Sequence, residues 1–424
     1  MTLLLLFGLT WLSFQGVAPT LGGGRLSVLV GFVLLASSVA GALAAEVGLP
    51  RITGFILVGI AAGPSLVGLL PPEAVADLRL IDDFALALIA MLAGGELQVQ
   101  HLRPQIRVIA GATAVITGVV ALGMTVVVMA VHPFVPFLAE LPWTGALAVA
   151  LLLGVWSANS SPDLTVAVIE ERKAKGAMAE VILGITIVKD VVVIVLFTVT
   201  LALVTPFLDP DGAFSAHAFV DLAREVGGAL VLGAGGGWVF SRYLGGSGPP
   251  RSPLATFVFA YVLVVLAEQL HVELLLAGVA AGFVVENLSP SGERMIQGIR
   301  AVAVVIFAFF FAVAGASLDL GALVRFGPVA LALFSARLFL TRWSTRLGAR
   351  VTGADAAIRE RAWMGLISQG GVSLGLILLI QDAFPAVGGG VVALAMAVII
   401  GNILGGPVLL GRALAGADRP KETS

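Results

Sequence analysis

Residues Ile182–Leu196 have the sequence ILGITIVKDVVVIVL, an apolar run with the adjacent charged side chains Lys189 and Asp190 at its centre. Apolar residues extend this run over 179–204, which is long enough for a helix to cross the hydrocarbon core of a bilayer. Charged side chains deep in a bilayer are costly and rare, and they usually mark the path of an ion or a proton. The stretch therefore predicts a membrane-spanning helix with a functional carboxylate.

The composition of the chain indicates a polytopic membrane protein. Of its 424 residues, 59% are hydrophobic and 12% are charged, whereas a soluble domain has about 25% charged residues. A net charge of -2 suggests no nucleic-acid partner, and the lack of cysteine excludes disulfides and thiolate metal sites. The four histidines fall at segment edges or in connections, so we expect no cofactor and no metal other than a transported monovalent cation.

Apolar runs of about 17–25 residues predict an all-α fold with about fourteen transmembrane helices. These runs are 2–18, 26–45, 52–70, 81–97, 106–131, 144–169, 179–204, 226–244, 254–271, 273–288, 299–318, 327–348, 361–381 and 389–411. No Lys or Arg precedes the first run, whereas a secretory signal has a positive start. We therefore interpret 1–25 as an extra N-terminal helix, with a cleaved signal peptide as the alternative.

The distribution of basic residues predicts the orientation. Eighteen of the 24 Lys and Arg residues fall in connections on one side of the membrane and four on the other, and the remaining two are Lys189 and Arg337 inside segments. Cytoplasmic loops are enriched in Lys and Arg. Both termini are therefore predicted to be cytoplasmic. The high Ala, Gly and Val content is typical of a GC-rich bacterial source, so we expect a multi-pass protein of a bacterial inner membrane.

An internal repeat links the two halves of the chain. Leu57–Pro64 has the sequence LVGIAAGP and Leu276–Phe283 has LAGVAAGF. Each contains a Gly-x-x-x-Gly pattern, which favours close helix packing. The copies lie in the third and tenth predicted segments, so they have opposite orientations in the membrane. Inverted-topology repeats of this kind are typical of secondary transporters.

Two predicted segments in matching positions of the repeats are interrupted. The sixth segment, 144–169, contains Trp156–Asp163 (WSANSSPD), and the thirteenth, 361–381, contains Ser368–Ser373 (SQGGVS). Proline and polar residues inside a span indicate unwound backbone that faces a cavity. A pair of crossed broken helices is the strongest sequence indication of a transport site.

Asp190 is the predicted exchanging carboxylate, which would bind either a cation or a proton. Lys189 has two open interpretations, as a proton carrier or internal substitute for the cation, or as a permanent ion-pair partner. A pairing of Lys189 with Asp163 on the broken helix would leave Asp190 available. Arg337 is predicted to compensate charge at helix ends or at Asp163, because a guanidinium does not give up its proton.

The remaining candidates lie at the breaks and in the second repeat. Oxygen atoms of Ser160, Ser161, Ser368 and Gln369 could contact an ion, or could cap the broken helix ends. Asn402 corresponds to Asp190 in the inverted repeat. A G-x-S-x-G pattern is also present in the thirteenth segment, but no histidine lies inside any segment, so we predict a transporter rather than an enzyme.

Several motifs together resemble the cation:proton antiporter superfamily, especially its Kef-type and bacterial sodium/proton exchanger branch. Pro50–Pro64 is similar to the family's second-helix signature, and Leu92–Leu97 is similar to its Gly-x-Glu-Leu helix end. Ser160–Pro162 and Gly365–Leu374 are similar to the family's first and second broken helices. Lys189–Asp190 falls at the position of its acidic pair, and Arg337 falls near its basic residue. The chain ends about a dozen residues after its last segment, so we expect no C-terminal nucleotide-binding domain of the Kef type.

The resemblance implies a homodimer that transports by an elevator motion. The dimerisation domain would consist of 26–104 and 252–320, and the ion-binding core domain of 105–205 and 327–412. A linker helix over 226–247, an extra N-terminal helix over 1–25 and a tail over 413–424 would complete the chain.

The chain departs from the family at Lys189, where relatives have Asp, Asn or Gln. We expect exchange of Na⁺ or K⁺ for protons at Asp190, which is electroneutral if Asp190 is the only group that titrates. The alternatives are transport of an anion or zwitterion with protons, and a non-transporting scaffold or sensor with Lys189 in the cation site.

Overall fold

The computed structural model describes residues 24–208, 217–245, 254–289 and 292–415. The first predicted segment, 2–18, lies outside these ranges, and so does the end of the predicted tail, 416–424. Every regular element of the described residues is helical. The all-α prediction is therefore confirmed.

The α-helices are numbered here in chain order. They are α1 Gly24–Glu46, α2 Arg51–Ala62, α3 Pro72–Asp77, α4 Arg79–Gly95, α5 Val99–Val131, α6 Pro136–Ala139, α7 Trp143–Ser157, α8 Pro162–Arg172, α9 Ala177–Leu208, α10 His217–Gly245, α11 Leu254–Leu270, α12 Leu274–Leu288, α13 Gly292–Arg300, α14 Ala303–Ala316, α15 Leu320–Val351, α16 Ala356–Arg361, α17 Gly371–Ala383 and α18 Pro385–Ala415. Two short 3₁₀ helices, His132–Phe134 and Ala362–Leu366, precede α6 and follow α16.

Membrane-length helices dominate the described part of the chain. Six helical spans are long and apolar enough to cross a bilayer, and the number rises to eight if each of two bent helix pairs is one span. Three further apolar helices, α2, α11 and α12, are shorter. The multi-pass prediction is confirmed, and the number of fourteen stays a prediction.

The chain divides into two units, each built from two separate stretches. Unit 1 consists of Met1–Glu96 with Ala229–Asp319, and unit 2 consists of Leu97–Gly228 with Leu320–Ser424. One boundary falls inside α10. All the predicted site residues belong to unit 2.

Glycines bring the helices of unit 1 into backbone contact. A Cβ atom at Gly59 of α2, or at Gly63 directly after it, would overlap the backbone of α14, and one at Gly282 of α12 would overlap the backbone of Met91 in α4. The packing role of both Gly-x-x-x-Gly patterns is therefore confirmed. Helices α2 and α14 correspond to the third and eleventh predicted segments, and α12 and α4 correspond to the tenth and fourth. The two contacts are thus equivalent under exchange of the inverted repeats.

Two helices of unit 1 differ from their predicted bounds. The segment predicted over 52–70 ends as a helix at Ala62, and Gly63 is extended with ψ 173°. Pro64 follows, and a residue before proline is disfavoured in the helical conformation. The span predicted over 299–318 is a bent pair, α13 and α14, at 59°. In α13, apolar residues such as Met295 and Ile299 are buried on one face. The residues of the opposite face are polar, and for this reason most of α13 was interpreted as a connection.

Candidate functional site

Two interrupted helices form the frame of the site in unit 2. The first break separates α7, which ends at Ser157, from α8, which begins at Pro162. Proline suits the first helical position because the N–H it lacks would have no partner there. Ser161 is the N-cap, and its Oγ accepts a hydrogen bond from Leu164 N at 3.2 Å. The second break lies between Leu366 and Gly371, where the flanking helical segments are bent by 51°. Both predicted interruptions are confirmed.

Hydrogen bonds join the two breaks directly. Ser161 N donates to Ser368 O at 2.9 Å, and the Trp156 indole donates to Ser373 O at 2.8 Å. Asn159 Nδ2 also donates to the Ser373 hydroxyl at 3.1 Å. Backbone groups that a broken helix leaves without helical partners are therefore satisfied across the crossing.

Arg337 of α15 lies at the ends of the helical segments that enter the crossing. It is 1% exposed. Its guanidinium donates to Ser157 O at 2.7 Å, Asn159 O at 2.6 Å and Ile367 O at 2.6 Å. These carbonyls lie at or just after the carboxyl-terminal ends of α7 and of the 3₁₀ helix Ala362–Leu366, where the helix dipole is negative. A fourth bond reaches Asn402 Oδ1 at 2.7 Å. The positive charge thus faces two carboxyl-terminal helix ends.

Asp163 lies at amino-terminal helix ends. It is in the first turn of α8 and is buried. Its carboxylate accepts a hydrogen bond from the Ser161 hydroxyl and interacts with the backbone N–H groups of Leu164 and Gly371. These N–H groups open α8 and α17, where the helix dipole is positive. One carboxylate and one guanidinium therefore compensate the four helix ends that meet at the crossing.

Lys189 and Asp190 occupy the middle of α9. They are 1% and 3% exposed. The Lys189 ammonium donates to Ser160 Oγ at 2.5 Å, and Ser160 Oγ donates to Leu366 O at 2.7 Å. Lys189 is thereby connected to both breaks through one hydroxyl. A pairing of Lys189 with Asp163, one of the arrangements left open by the sequence, is not formed within the described part of the chain, because Asp163 faces helix N-termini and Lys189 faces Ser160.

The candidates of the second repeat bind other protein groups. Asn402 accepts from Arg337 and donates to Gln369 Oε1 at 2.7 Å. Gln369 Nε2 donates to Trp156 O at 3.3 Å. The hydroxyl of Ser368 is buried close to Gly406 of α18, and it has no hydrogen-bond partner among the described residues. Asn402 and Gln369 thus tie α18 and the second break to Arg337 and the first break.

Three residues that connect the breaks were not among the predicted site residues. Trp156, Asn159 and Ser373 are buried and join the two breaks. All three lie inside the two polar interruptions of the sequence, so the signal for them was present. Residue order alone does not decide which polar side chains of one interruption face the other interruption.

Membrane-length helices, two crossing breaks and a buried charged pair define a secondary transporter. The chain belongs to the sodium/hydrogen exchanger family, because the model of the family's transmembrane region matches residues 33–416. The predicted membership of the cation:proton antiporter superfamily is confirmed, and the protein is a transporter rather than an enzyme.

Known relatives agree with this assignment. The chain is 24% identical over 370 residues to the Na(+)/H(+)-K(+) antiporter GerN of Bacillus cereus, covering 84% of this chain and 90% of GerN. Its fold is similar to two structures of the sodium proton antiporter MjNhaP1 from Methanocaldococcus jannaschii. The structure at pH 8 gives a TM-score of 0.68 at 18% identity, covering 92% of this chain and 96% of MjNhaP1. The other gives 0.70 at 17% identity, covering 93% and 98%. The predicted antiporter fold is therefore confirmed.

Proposed function

We propose that the protein exchanges Na⁺ or K⁺ for a proton and that both ions compete for the carboxylate of Asp190. The observation that supports this most is a buried acid in the middle of a membrane-length helix, beside two crossing breaks. Asp190 is about 20 Å from the start of α9 and about 27 Å from its end along the helix axis. An acid at that depth is expected to serve transport.

Two other charged groups of the site, Asp163 and Arg337, compensate helix ends, so we assign the exchange of ions to Asp190. Asp163 faces two helix N-termini and Arg337 faces two helix C-termini. Lys189 is the remaining charge. When Asp190 binds either one cation or one proton, its charge is neutralised equally. The two loaded states then have the same net charge, so one cation exchanges for one proton without net charge movement.

Lys189 weakens cation binding without preventing it. Two unit charges at 4 Å repel by about 4 kcal/mol at an effective dielectric of 20. Adjacent residues of a helix point about 100° apart, and the Lys189 ammonium is drawn toward Ser160. We propose that this bond holds the ammonium away from the ion bound at Asp190. Lys189 is then a fixed positioning group for the two breaks rather than the proton carrier.

The family resemblance favours an elevator motion of a homodimer. We propose that unit 2 carries the site across the membrane as one body and that unit 1 forms the contact with a second copy. The Ala, Gly and Val content favours a bacterial inner membrane, and the basic-residue distribution would place both termini in the cytoplasm.

An ion panel in liposomes tests the proposed function. The protein is reconstituted with a pH dye inside the vesicles, and Na⁺, Li⁺, K⁺, choline and a series of anions are added in turn over a wide pH range. We expect proton movement with Na⁺ or K⁺ and none with choline, and the Na⁺-driven rate should not change when valinomycin with equal K⁺ on both sides holds the membrane potential at zero. A response to anions alone would support the anion or zwitterion carrier, and no response to any ion would support the scaffold.

Substitution of Lys189 by glutamine tests its part in the site. Glutamine can still donate to Ser160 but has no charge, so Asp190 should bind cations and protons more tightly. We expect the KM for the transported cation to fall about tenfold or more at alkaline pH. Because proton binding is strengthened too, the half-maximal rate should move to higher pH. Lys173→Gln, at the end of α8, is the control. An inactive, well-folded Lys189→Gln variant would instead assign proton transfer to the lysine.

A further inference from the structure

A cavity of about 510 Å³ lies in unit 2, apart from the crossing of the broken helices. It is formed by the connection after α5, by α6 and by the first turns of α15 and α18. Its main lining residues are one arginine and five apolar residues: Arg325, Phe134, Pro136, Phe137, Phe326 and Pro328. Its volume is in the range of ordinary small-molecule sites.

Aromatic packing fixes the shape of this cavity. The rings of Phe137 and Phe326 meet edge to face with centroids 6.1 Å apart. Phe137 also lies directly over Gly390, where a Cβ atom would approach the ring to 2.6 Å. Phe137 of α6 thus packs against both α15 and α18 at this cavity.

The position of Arg325 along α15 places the cavity near the membrane surface. Arg325 is the sixth residue of a 32-residue helix, and 326–336 contains no charged residue. A helix of that length extends over about 48 Å, which exceeds the hydrocarbon thickness of about 30 Å. Near Arg325, the apolar side chains of Phe134 and Val324 are 76% and 87% exposed. Exposed apolar side chains beside an arginine suit the boundary between headgroups and acyl chains, where long basic side chains reach the headgroups.

We propose that this cavity binds an anionic phospholipid of the leaflet that the basic-residue distribution assigns to the outside. The guanidinium of Arg325 would hold the headgroup phosphate with two parallel hydrogen bonds. The aromatic and proline walls would cover the start of an acyl chain. No acid is among the cavity's lining residues, so the site favours a net negative headgroup. A small soluble anion would use the arginine and leave the apolar walls in contact with water.

Lipid binding to delipidated protein tests this proposal. The full chain is purified in detergent, and its thermal stability and its bound lipids by native mass spectrometry are measured with phosphatidylglycerol, phosphatidylcholine or inorganic phosphate. Phosphatidylglycerol should bind and raise the melting temperature more than phosphatidylcholine, and inorganic phosphate should have little effect. Arg325→Gln should weaken phosphatidylglycerol binding about tenfold.

Two further variants separate this site from general attraction of lipid to positive charge. Arg224→Gln removes another exposed arginine, on α10, and should leave binding unchanged. Val329→Phe keeps Arg325 but fills the cavity, and should weaken binding as well. The proposal is overturned if neither Arg325→Gln nor Val329→Phe reduces phosphatidylglycerol binding, if Arg224→Gln reduces it equally, or if inorganic phosphate reproduces the stabilisation. These outcomes do not depend on transport activity.

Discussion

Replacement of Asp190 by asparagine is expected to abolish cation-driven proton movement. Asparagine has nearly the same shape as aspartate, but it has no charge to balance a cation and takes up no proton in the physiological range. If both ions compete for this carboxylate, the loss of exchange should be at least a hundredfold in the liposome assay, with every cation that the wild-type protein transports. Glutamate at the same position should restore part of the activity, because it returns the carboxylate with a displaced geometry.

The control for this variant is an acid elsewhere in the same unit. Asp221 is exposed in the first turns of α10, and Asp221→Asn should exchange ions at the wild-type rate. Asp190→Asn should keep a wild-type melting temperature or a higher one, because it replaces a buried charge by a neutral group. Exchange by Asp190→Asn at half the wild-type rate or more would refute the assignment of Asp190 as the shared site.

Replacement of Arg337 by glutamine should destabilise the protein more than any other single change at the site. The guanidinium donates to four acceptors, three of them backbone carbonyls at helix ends, and it is almost fully buried. Glutamine could satisfy at most two of these. Each buried acceptor left without a donor costs about 1–3 kcal/mol. We therefore expect the free energy of unfolding to fall by roughly 3 kcal/mol or more, with a large decrease in the melting temperature in detergent.

A lysine at position 337 distinguishes charge from geometry. Lysine keeps the positive charge for the helix ends but lacks the planar guanidinium that reaches both breaks. The melting temperature of Arg337→Lys should therefore lie between those of Arg337→Gln and the wild-type protein. Arg350→Gln, an exposed arginine on the same helix, is the control and should melt within about a degree of wild type. If Arg337→Gln has the same melting temperature as Arg350→Gln, the hydrogen bonds of Arg337 to the helix ends contribute little to stability.

The breaks could be located from the sequence because they depend on local chemistry. Pro162 cannot continue α7, and Ser161 before it is a good N-cap, so the helix must stop and restart. Glycine at positions 370 and 371 similarly interrupts the thirteenth segment. The predicted runs 254–271 and 273–288 also leave room for only a tight turn between α11 and α12, and there Glu273 accepts bonds from Leu275 N and Leu276 N.

The partners of the buried charges could not be located in the same way. Arg337 binds backbone carbonyls, and every residue of the sequence has a carbonyl. Lys189 could reach either Asp163 or Ser160 on the first break, and the choice depends on which face of α8 turns toward α9. Asp163 interacts with the N-termini of both α8 and α17, and these two helix ends are close together only when the two breaks cross.

The bend between α13 and α14 was missed for a different reason. Neither proline nor glycine lies at residues 301 and 302, so local chemistry gave no sign of a break. The polar residues of α13 resemble a connection unless the spacing of its buried apolar residues is considered. By contrast, the early end of α2 could have been predicted from Pro64.

Competition between the cation and the proton is the most direct test of this account. The KM of the preferred cation is measured in liposomes from pH 5 to pH 9, together with calorimetric proton release on cation binding to the purified protein. We predict a KM that rises about tenfold for each unit of pH below the ionisation range of the site, and release of close to one proton per bound ion at acidic pH. A KM independent of pH, with no proton released on binding, would contradict a shared carboxylate at Asp190.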